Sequence, residues 1–379
     1  MVRKIGIVSL SRGLLGEPFV RHEEELGLRR LRDRGLEVSF LPHARAGLDF
    51  IRAHPEARAA DLLQALRDPE IDMILCAIGG DDSYRLLPWL FGHGELAAAA
   101  GAAAGKIFLG FSDTTVGHLM LHKVGLRSFY GQAFLPDVCE PGPEMLPYTR
   151  RCFDELCATG GIREVRPSPL RYASRTDWSP AALGSELPAC PGTGFELLQG
   201  PPRFSGQILG GCLDTLHDVF DPTRYADMPE LCRRYGLFPP PEDWRGRILL
   251  LETSEERMSP AKYRRALGYL RDAGVFDAVS GILVGRPVDG AFDREYRAAL
   301  TELVRRPALP IVWGLDVGHA LPRCILPFGV EARVDAAAQV IRFPPDPAPT
   351  PLASPDPAGA PGSSPTPPDP ALPFSPQPC

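Results

Sequence analysis

Long runs of basic residues are missing from this sequence, and their absence excludes a large class of functions. The 379 residues include 41 Lys and Arg against 47 Asp and Glu, which gives a formal net charge of −6. Nucleic-acid-binding surfaces need clustered positive charge, and no basic stretch here is long enough to follow a phosphate backbone. We therefore expect no nucleic-acid partner.

Long apolar runs and paired cysteine motifs are missing as well. No segment approaches the ~20 apolar residues of a membrane-spanning helix, and the apolar start after Lys4 is too short for a signal peptide. The nine cysteines are scattered, odd in number and never spaced as Cys-x-x-Cys. This usage favours reduced, mostly buried thiols over a disulfide framework or a zinc site. The sequence thus predicts a cytoplasmic protein with no membrane partner.

Three cofactor motifs are absent or incomplete. No Gly-x-Gly-x-x-Gly follows the first apolar strand, which argues against a dinucleotide site. The stretch 101–107 has one residue too few between its glycines, and Ile107 stands where a phosphate-binding loop needs Ser or Thr. The stretch that begins at His22 lacks the second histidine of a zinc protease helix. We expect no metal and no organic cofactor.

What the sequence does contain is a repeated alternation of apolar strands and helices, which is typical of a mainly parallel sheet covered on both faces. The N-terminal half predicts strands at 4–9, 36–41, 73–78 and 107–110 and helices at 18–34, 55–67, 83–91 and 114–123. The C-terminal half predicts strands at 248–251, 278–284 and 311–314, helices at 260–273 and 293–305, and a terminal hairpin or barrel edge at 329–343. The fold class is therefore α/β.

Composition divides the chain into four segments. Residues 1–158 are predicted to form a Rossmann-like domain with a mainly parallel sheet. Residues 159–202, rich in Pro, Gly and Ser, form a connecting loop of a length that tends to be functional. Residues 203–343 are predicted to form a C-terminal α/β domain with a barrel-like sheet. Residues 344–379 contain 15 prolines and too few apolar residues to offset chain entropy, so a disordered tail is predicted.

Ser112 is the candidate nucleophile. An apolar strand ends at Gly110, and Ser112 lies at the turn before the next helix. This arrangement places a hydroxyl at the carboxyl edge of the sheet, beside free N–H groups that can hold an oxyanion. The same pattern also fits a simple helix cap by Ser112 or Asp113.

Gly79 and Gly80 follow another apolar strand. Paired glycines let the backbone come close to a ligand, and the N–H of Gly80 would suit a second oxyanion donor. A tight turn followed by an Asp cap explains the same residues.

A serine nucleophile needs a base, and the base needs an orienting carboxylate. Of the eight histidines, His319 follows an apolar strand and lies in a glycine-flanked loop. Glu252 ends the apolar run 248–251, where a carboxylate needs a partner such as an imidazole N–H. Taken alone, a histidine in such a loop is usually an ordinary surface residue.

Together these segments resemble the LD-carboxypeptidase family of serine peptidases, particularly its branch with the microcin C immunity function. The resemblance spans about residues 4–343. It depends on five stretches in this order: AIGGDDSYRLLP (77–88), GFSDTT (110–115), GGCLDTL (210–216), LLETSE (250–255) and DVGH (316–319).

The resemblance implies a Ser–Glu–His triad divided between the two domains, usually in a homodimer, with neither metal nor cofactor. It implies that Ser112 attacks the carbonyl, that His319 carries the proton and that Glu252 orients the imidazole. The N–H groups of Gly80 and Asp113 would form the oxyanion hole.

The resemblance further implies a substrate-binding set of Asp81, Trp178, Gly211 and Cys212. Peptidoglycan-cleaving members often have Asn where this chain has Cys212, which weakens a transfer of cell-wall specificity. Trp178 looks like the aromatic residue of the connecting loop that stacks on a nucleobase in the immunity branch. A simple loop anchor is the alternative for Trp178.

Three functions are compatible with the sequence. The favoured one is a serine carboxypeptidase or amidohydrolase that cleaves a small peptide or an aminoacyl-nucleotide conjugate. The second is the same chemistry on muropeptides of peptidoglycan recycling. The third, of another class, is an inactive binding module that keeps the fold.

Overall fold

Two large sheets and their helices carry the fold. The computed structural model describes residues 1–344, which belong to one compact unit. The predicted tail, apart from Pro344, lies outside the described residues. Within the described part of the chain, no helix combines the length and the apolar character needed to cross a bilayer.

The strands are short, and most of them follow an apolar run of the sequence. In chain order they are β1 (Lys4–Val8), β2 (Glu37–Phe40), β3 (Met73–Cys76), β4 (Ile107–Gly110), β5 (Ser128–Tyr130), β6 (Glu164–Val165), β7 (Leu170–Tyr172), β8 (Ala189–Pro191), β9 (Glu196–Gln199), β10 (Arg203–Cys212), β11 (Ile248–Glu252), β12 (Gly281–Gly285), β13 (Ile311–Leu315), β14 (Leu326–Phe328), β15 (Glu331–Asp335) and β16 (Val340–Arg342).

The helices lie mostly between the parallel strands. They are α1 (Arg21–Asp33), α2 (Leu48–Ala53), α3 (Pro55–Arg67), α4 (Leu87–Phe91), α5 (Glu95–Ala100), α6 (Thr115–Lys123), α7 (Pro147–Thr159), α8 (Leu213–Asp218), α9 (Met228–Arg234), α10 (Pro241–Trp244), α11 (Pro260–Asp272), α12 (Val275–Ala278) and α13 (Asp293–Val304). Short 3₁₀ turns at Ser83–Leu86 and Ser112–Thr114 precede α4 and α6.

The N-terminal sheet has six strands in the order β14-β5-β4-β3-β1-β2, and only β14 is antiparallel to its neighbour. Every residue of β3 and β4 is buried, as expected for parallel strands with helices on both faces. Helix α3 spans the predicted range 55–67. It begins at Pro55, because the first position of a helix favours proline.

The second sheet has eight strands in the order β6-β16-β15-β10-β11-β12-β13-β9, and it curls into half a barrel. The central four, β10 to β13, are parallel, and the outer strands are antiparallel. The predicted hairpin near the C-terminus is the pair β15 and β16. The predicted α/β class with a mainly parallel sheet and a barrel-like sheet is confirmed.

Three strands cross the segment boundaries that composition suggests, and one of them is β9, which lies in the predicted connecting loop but pairs with β13 of the second sheet. Strand β14, from the C-terminal part of the sequence, pairs with β5 of the first sheet, with Leu326 opposite Tyr130. Strand β6, from the start of the predicted connecting loop, pairs with β16 of the second sheet. The pairing of β14 with β5 places the segment that follows β13 at the edge of the first sheet.

Candidate active site

Ser112 lies at a strained turn between β4 and α6. Its backbone φ is +66°, in the left-handed region that costs a residue other than glycine roughly 1–2 kcal/mol. The Thr115 hydroxyl donates to the Ser112 carbonyl at 2.7 Å and holds this turn. Strain of this kind at a strand-to-helix turn is typical of a nucleophilic serine whose hydroxyl must project above the sheet edge.

The loop after β3 packs directly against Ser112. A Cβ at Gly79 would lie 2.6 Å from Ser112 Cβ, so only glycine allows this approach. A Cβ at Gly80 would collide with the Ser11 hydroxyl. The glycine pair that the sequence singled out therefore lies at the serine, as predicted from its position at a carboxyl strand end.

A chain of hydrogen bonds joins Ser112, His319 and Glu252. His319 Nε2 lies 3.0 Å from Ser112 Oγ, and His319 Nδ1 lies 2.7 Å from Glu252 Oε2. Glu252 is the last residue of β11, and His319 follows β13 in a loop. The carboxyl ends of strands from both sheets therefore meet at one point.

The Glu252 carboxylate is buried and accepts three hydrogen bonds. Its donors are the His319 ring, the His319 backbone N–H at 3.3 Å and the Tyr130 hydroxyl at 2.6 Å. Burial alone would raise the pKa of Glu252, but the charge of His319 and these hydrogen bonds outweigh burial and hold the pKa below its ordinary value. Because an ionised carboxylate only accepts, His319 Nδ1 carries a proton, and in the neutral ring Nε2 is left to accept the Ser112 hydroxyl proton.

The pKa of His319 lies above its ordinary value. Burial lowers the pKa, but the charge and hydrogen bond of Glu252 outweigh burial, and the charge of Glu255 adds to them. The Glu255 carboxylate lies 3.2 Å from His319 Nε2, the same nitrogen that contacts Ser112 Oγ.

Arg323 and Gly318 fix the loop that carries His319. Arg323 donates to the carbonyls of Gly318 and His319 and forms a 2.9 Å ion pair with buried Asp137. Its guanidinium also lies 4.7 Å above the centre of the Phe111 ring, which packs edge-on against the imidazole. Gly318 has φ +89°, and a Cβ there would collide with the Glu252 carboxylate. Only glycine therefore permits the contact between Glu252 and His319.

Ser112 and His319 open onto a cleft of about 300 Å³, and Glu252 is buried behind them. The lining of the cleft includes Gly80, Asp81, Ser112, Trp178 and His319. A smaller cavity of about 30 Å³ adjoins it at Ser112, and its lining includes Asp113 and Cys212. A larger cavity of about 580 Å³ shares only the wall at Ser174 and Leu321 with the cleft and contains none of the predicted site residues.

Trp178 is half-buried on the connecting segment and lines the same cleft as Ser112. Its indole N–H donates to the Arg175 carbonyl at 3.2 Å, and its own carbonyl contacts His22 Nε2 at 2.9 Å. Arg175 is in turn paired with buried Glu140 at 2.5 Å. The ring is therefore anchored and faces the cleft at the same time, which leaves both interpretations of Trp178 open.

Of the other predicted site residues, Asp81 lines the cleft, whereas Asp113 and Gly211 do not. Asp81 pairs with Arg224 at 3.2 Å. Asp113 is buried and accepts hydrogen bonds from the Ser11 hydroxyl at 2.6 Å and from the backbone N–H of Ser83 at 2.9 Å. Gly211 does not line either cavity at the serine. A Cβ on Gly211 would lie 2.5 Å from Thr115 Oγ1, so its role is the close packing of β10 on α6.

Cys212, Glu252 and His319 offer ligand atoms within 4.8 Å of one another. Cys212 stands opposite Glu252 in the register of β10 and β11. Burial raises the pKa of the Cys212 thiol well above its ordinary value, so the thiolate that binds metal is disfavoured. The His319 and Glu252 atoms are already joined to each other. This donor set suits proton transfer better than metal binding.

Sequence reasoning missed Tyr130, Glu255 and Arg323. Tyr130 accepts from the Ser112 N–H at 3.2 Å while it donates to Glu252, so one hydroxyl joins the nucleophile turn to the carboxylate. A strand ending in Tyr130-Gly131 beside the nucleophile strand was a weak available signal. Glu255 ends the stretch 250–255 that carries the family resemblance, but no pattern gave it a role, and none indicated Arg323.

Two family models match the chain. The model described as the LD-carboxypeptidase N-terminal domain matches residues 5–131, and the model described as the LD-carboxypeptidase C-terminal domain matches residues 205–334. Among curated relatives, the chain is 28% identical to the microcin C7 self-immunity protein MccF of Escherichia coli, with 76% of this chain and 78% of the relative covered. It is 24% identical to a probable murein peptide carboxypeptidase of Bacillus subtilis, with 81% and 82% covered.

Solved structures show the same similarity in three dimensions. An MccF-like protein from Streptococcus pneumoniae, in complex with AMP, is 56% identical and superimposes with a TM-score of 0.88 over 90% of this chain and 99% of that one. MccF in complex with aspartyl sulfamoyl adenosine is 25% identical, with a TM-score of 0.72 over 90% of this chain and 96% of that one.

Proposed function

Because this chain belongs to the LD-carboxypeptidase family of serine-type carboxypeptidases, we propose that it hydrolyses a peptide or amide bond in a small peptide or an aminoacyl-nucleotide conjugate. In this proposal Ser112, His319 and Glu252 form the catalytic triad. The observation that carries the proposal is the hydrogen-bonded chain from Ser112 Oγ through the imidazole to Glu252.

The proposed reaction starts with proton transfer from the serine. His319 Nε2 accepts the Ser112 proton as Oγ bonds to the carbonyl carbon, and Glu252 stabilises the imidazolium. The backbone N–H groups of Gly80 and Asp113 hold the oxyanion, because both residues line the cavity at Ser112. The tetrahedral intermediate then collapses, and His319 gives the proton to the leaving group. A water molecule then attacks the acyl carbon as the same imidazole takes its proton, and His319 returns that proton to Ser112 Oγ when the acyl–Oγ bond breaks and the carboxylic acid leaves.

The nucleotide part of the proposal depends on Trp178. Its ring lines the cleft that contains Ser112, and the S. pneumoniae relative with 56% identity binds AMP. A nucleobase stacked on an aromatic side chain contributes roughly 1–3 kcal/mol. We place the base against Trp178 and the scissile carbonyl at Ser112, with Asp81 and Cys212 near the acyl group.

Cleavage of muropeptides in peptidoglycan recycling is the second candidate. The B. subtilis relative named as a murein peptide carboxypeptidase supports it. The cytoplasmic location and the homodimer predicted from the sequence stay part of the proposal.

Hydrolysis of two substrates by the wild-type protein separates these candidates. We expect aspartyl sulfamoyl adenosine to be cleaved with a kcat/KM at least about a hundredfold above that of a muropeptide tetrapeptide, with Ser112→Ala as the blank. Faster cleavage of the muropeptide would assign the protein to peptidoglycan recycling. Cleavage of neither substrate would contradict the proposal.

A further inference from the structure

Glu255 has a contact that the proposed mechanism does not use. Its Oε2 lies 3.2 Å from His319 Nε2, which is also 3.0 Å from Ser112 Oγ. The Glu255 side chain is 72% exposed, and in residues 1–344 no Lys or Arg lies within ion-pair distance of it. Its charge therefore faces the cleft without a cation.

The neighbouring carboxylates in the cleft are different, because an arginine neutralises them. Arg224 pairs with Asp81 at 3.2 Å and with Glu256 at 3.0 Å. Glu255 and Glu256 are adjacent in sequence and both line the cleft, yet in residues 1–344 only Glu256 of the two has an arginine partner.

The contact between Glu255 and His319 opposes the role of His319 as a base. A neutral imidazole that donates from Nδ1 presents a lone pair at Nε2, and a carboxylate facing that lone pair is repelled. The contact is favourable only when Nε2 carries a proton. In that state the ring cannot accept the Ser112 proton. Catalysis therefore requires that Glu255 leave His319.

Glu255 lines both the cleft and the small cavity at Ser112, and the small cavity fits a small cation and not a nucleobase. The cavity of about 30 Å³ at Ser112 has room for a group the size of a water molecule or an ammonium. Its lining includes Glu255 and Asp214, which is 4% exposed, together with Arg224 and the two carboxylates that Arg224 pairs with. Asp214 Oδ1 accepts no hydrogen bond from any described residue, although it forms a 3.7 Å ion pair with the Lys262 ammonium. Trp178 lines the 300 Å³ cleft and does not line this small cavity.

We propose that Glu255 is a specificity-determining residue that receives the ammonium group of the substrate's acyl residue, and that this contact draws Glu255 away from His319. The inference rests on the proposed function, since it requires an acyl group at Ser112. Two bonds separate the α-nitrogen of an amino acid from its carbonyl carbon. A carbonyl carbon at Ser112 Oγ therefore brings the ammonium close to Glu255, because Ser112 and Glu255 both contact His319 Nε2. An acyl group without an ammonium leaves Glu255 on His319.

Other charged and titratable groups also surround His319, so the effect of Glu255 must be separated from theirs. From the elements packed against the ring, these groups are Glu252, Tyr130, Asp137, Cys212, Asp214 and Arg323. All of them are buried, and Glu255 alone is exposed to an incoming substrate.

A matched pair of substrates tests the proposal. Aspartyl sulfamoyl adenosine and succinyl sulfamoyl adenosine differ only in the ammonium group. We expect the wild type to prefer the aspartyl compound by about tenfold or more in kcat/KM, as for a hydrogen bond between charged groups. Glu255→Gln should remove most of this preference. Glu256→Gln removes the same charge from the adjacent position and should keep the preference.

A second readout needs no substrate. The rate at which a fluorophosphonate labels Ser112 should rise with pH as His319 loses its proton. Removing the Glu255 charge lowers the pKa of His319, so the midpoint should move to lower pH in Glu255→Gln and much less in Glu256→Gln.

The outcomes separate the inference from the proposed function. Equal cleavage of both compounds by the wild type, or an unchanged preference and midpoint in Glu255→Gln, overturns the inference while the proposed function stands. Cleavage of neither compound overturns both. A Glu255→Gln protein that loses labelling and melts at a lower temperature shows a structural role and also overturns the inference.

Discussion

The two walls of the cleft are built in different ways. The wall with Ser112, His319 and Glu252 consists of strand ends from both sheets, and each side chain is held by hydrogen bonds. The wall with Trp178 belongs to the connecting segment, half-buried and anchored through Arg175. The difference suggests that the sheets fix the reaction, whereas the connecting segment decides which substrate is bound, because loops on a rigid scaffold usually carry specificity.

Loss of a triad residue should have the largest effect. Ser112→Ala and His319→Ala are each expected to lower kcat by roughly 10⁴-fold or more, because triad members act as a unit, and the double variant should be little worse. Steady-state hydrolysis of aspartyl sulfamoyl adenosine measures this loss. Circular dichroism and the melting temperature should stay close to wild type. Near-normal turnover in Ser112→Ala would show that the reaction uses another nucleophile.

A change on the other wall should act on one substrate only. Trp178→Ala is expected to raise KM for aspartyl sulfamoyl adenosine about tenfold or more, because the stacking surface is lost. Hydrolysis of a muropeptide, which has no base to stack, should barely change, and Trp178→Phe should recover much of the effect. Trp89, an exposed tryptophan on α4, provides the matched control: Trp89→Ala should leave KM unchanged.

Equal losses of activity on both substrates in Trp178→Ala would contradict the assignment of substrate selection to the connecting segment. Together with a lower melting temperature, they would show that the ring only anchors the connecting segment, since burying a tryptophan matters to packing. The nucleotide part of the proposed function would then lose its main support.

Tyr130 offers a smaller and more precise test of the triad wall. Tyr130→Phe leaves the buried Glu252 Oε1 without its 2.6 Å hydrogen bond, and an unsatisfied buried acceptor costs about 1–3 kcal/mol. We expect kcat to fall about tenfold with little change in KM. Tyr84 is a buried tyrosine whose hydroxyl donates to Asp227 at 2.7 Å, and Tyr84→Phe removes this part-buried hydrogen bond away from the triad. Tyr84→Phe should lower the melting temperature without lowering kcat. If Tyr84→Phe lowered kcat as much as Tyr130→Phe, the loss would be a general effect of a missing buried hydroxyl and would not show that Tyr130 supports the triad.

The sequence predicted the strand ends well and the contacts between distant segments poorly. Apolar runs locate β3, β4, β11 and β13, and their carboxyl ends locate Gly80, Ser112, Glu252 and His319, because parallel strands leave these ends on one edge. Glycine spacing was informative at Gly79 and Gly318 for a related reason, since close approach excludes a Cβ.

What could not be predicted depends on pairings across the chain. Tyr130 and Glu252 are 122 positions apart, and the contact arises because β5 and β11 belong to different sheets. The short strand β14 has only three residues, too few for a periodic signal, although it joins the His319 segment to the first sheet. Glu255 stands in a loop after β11, where only the fold of that loop brings it to His319.

The proposed mechanism depends most directly on a serine that His319 activates. Intact-mass measurement after incubation with a fluorophosphonate at pH 8 tests this activation without any assumption about the substrate. We predict one adduct per chain, located on Ser112 by peptide mapping, absent in Ser112→Ala and strongly slowed in His319→Ala. No adduct on the wild type, or an adduct on another residue that persists in Ser112→Ala, would contradict the account and favour an inactive binding module.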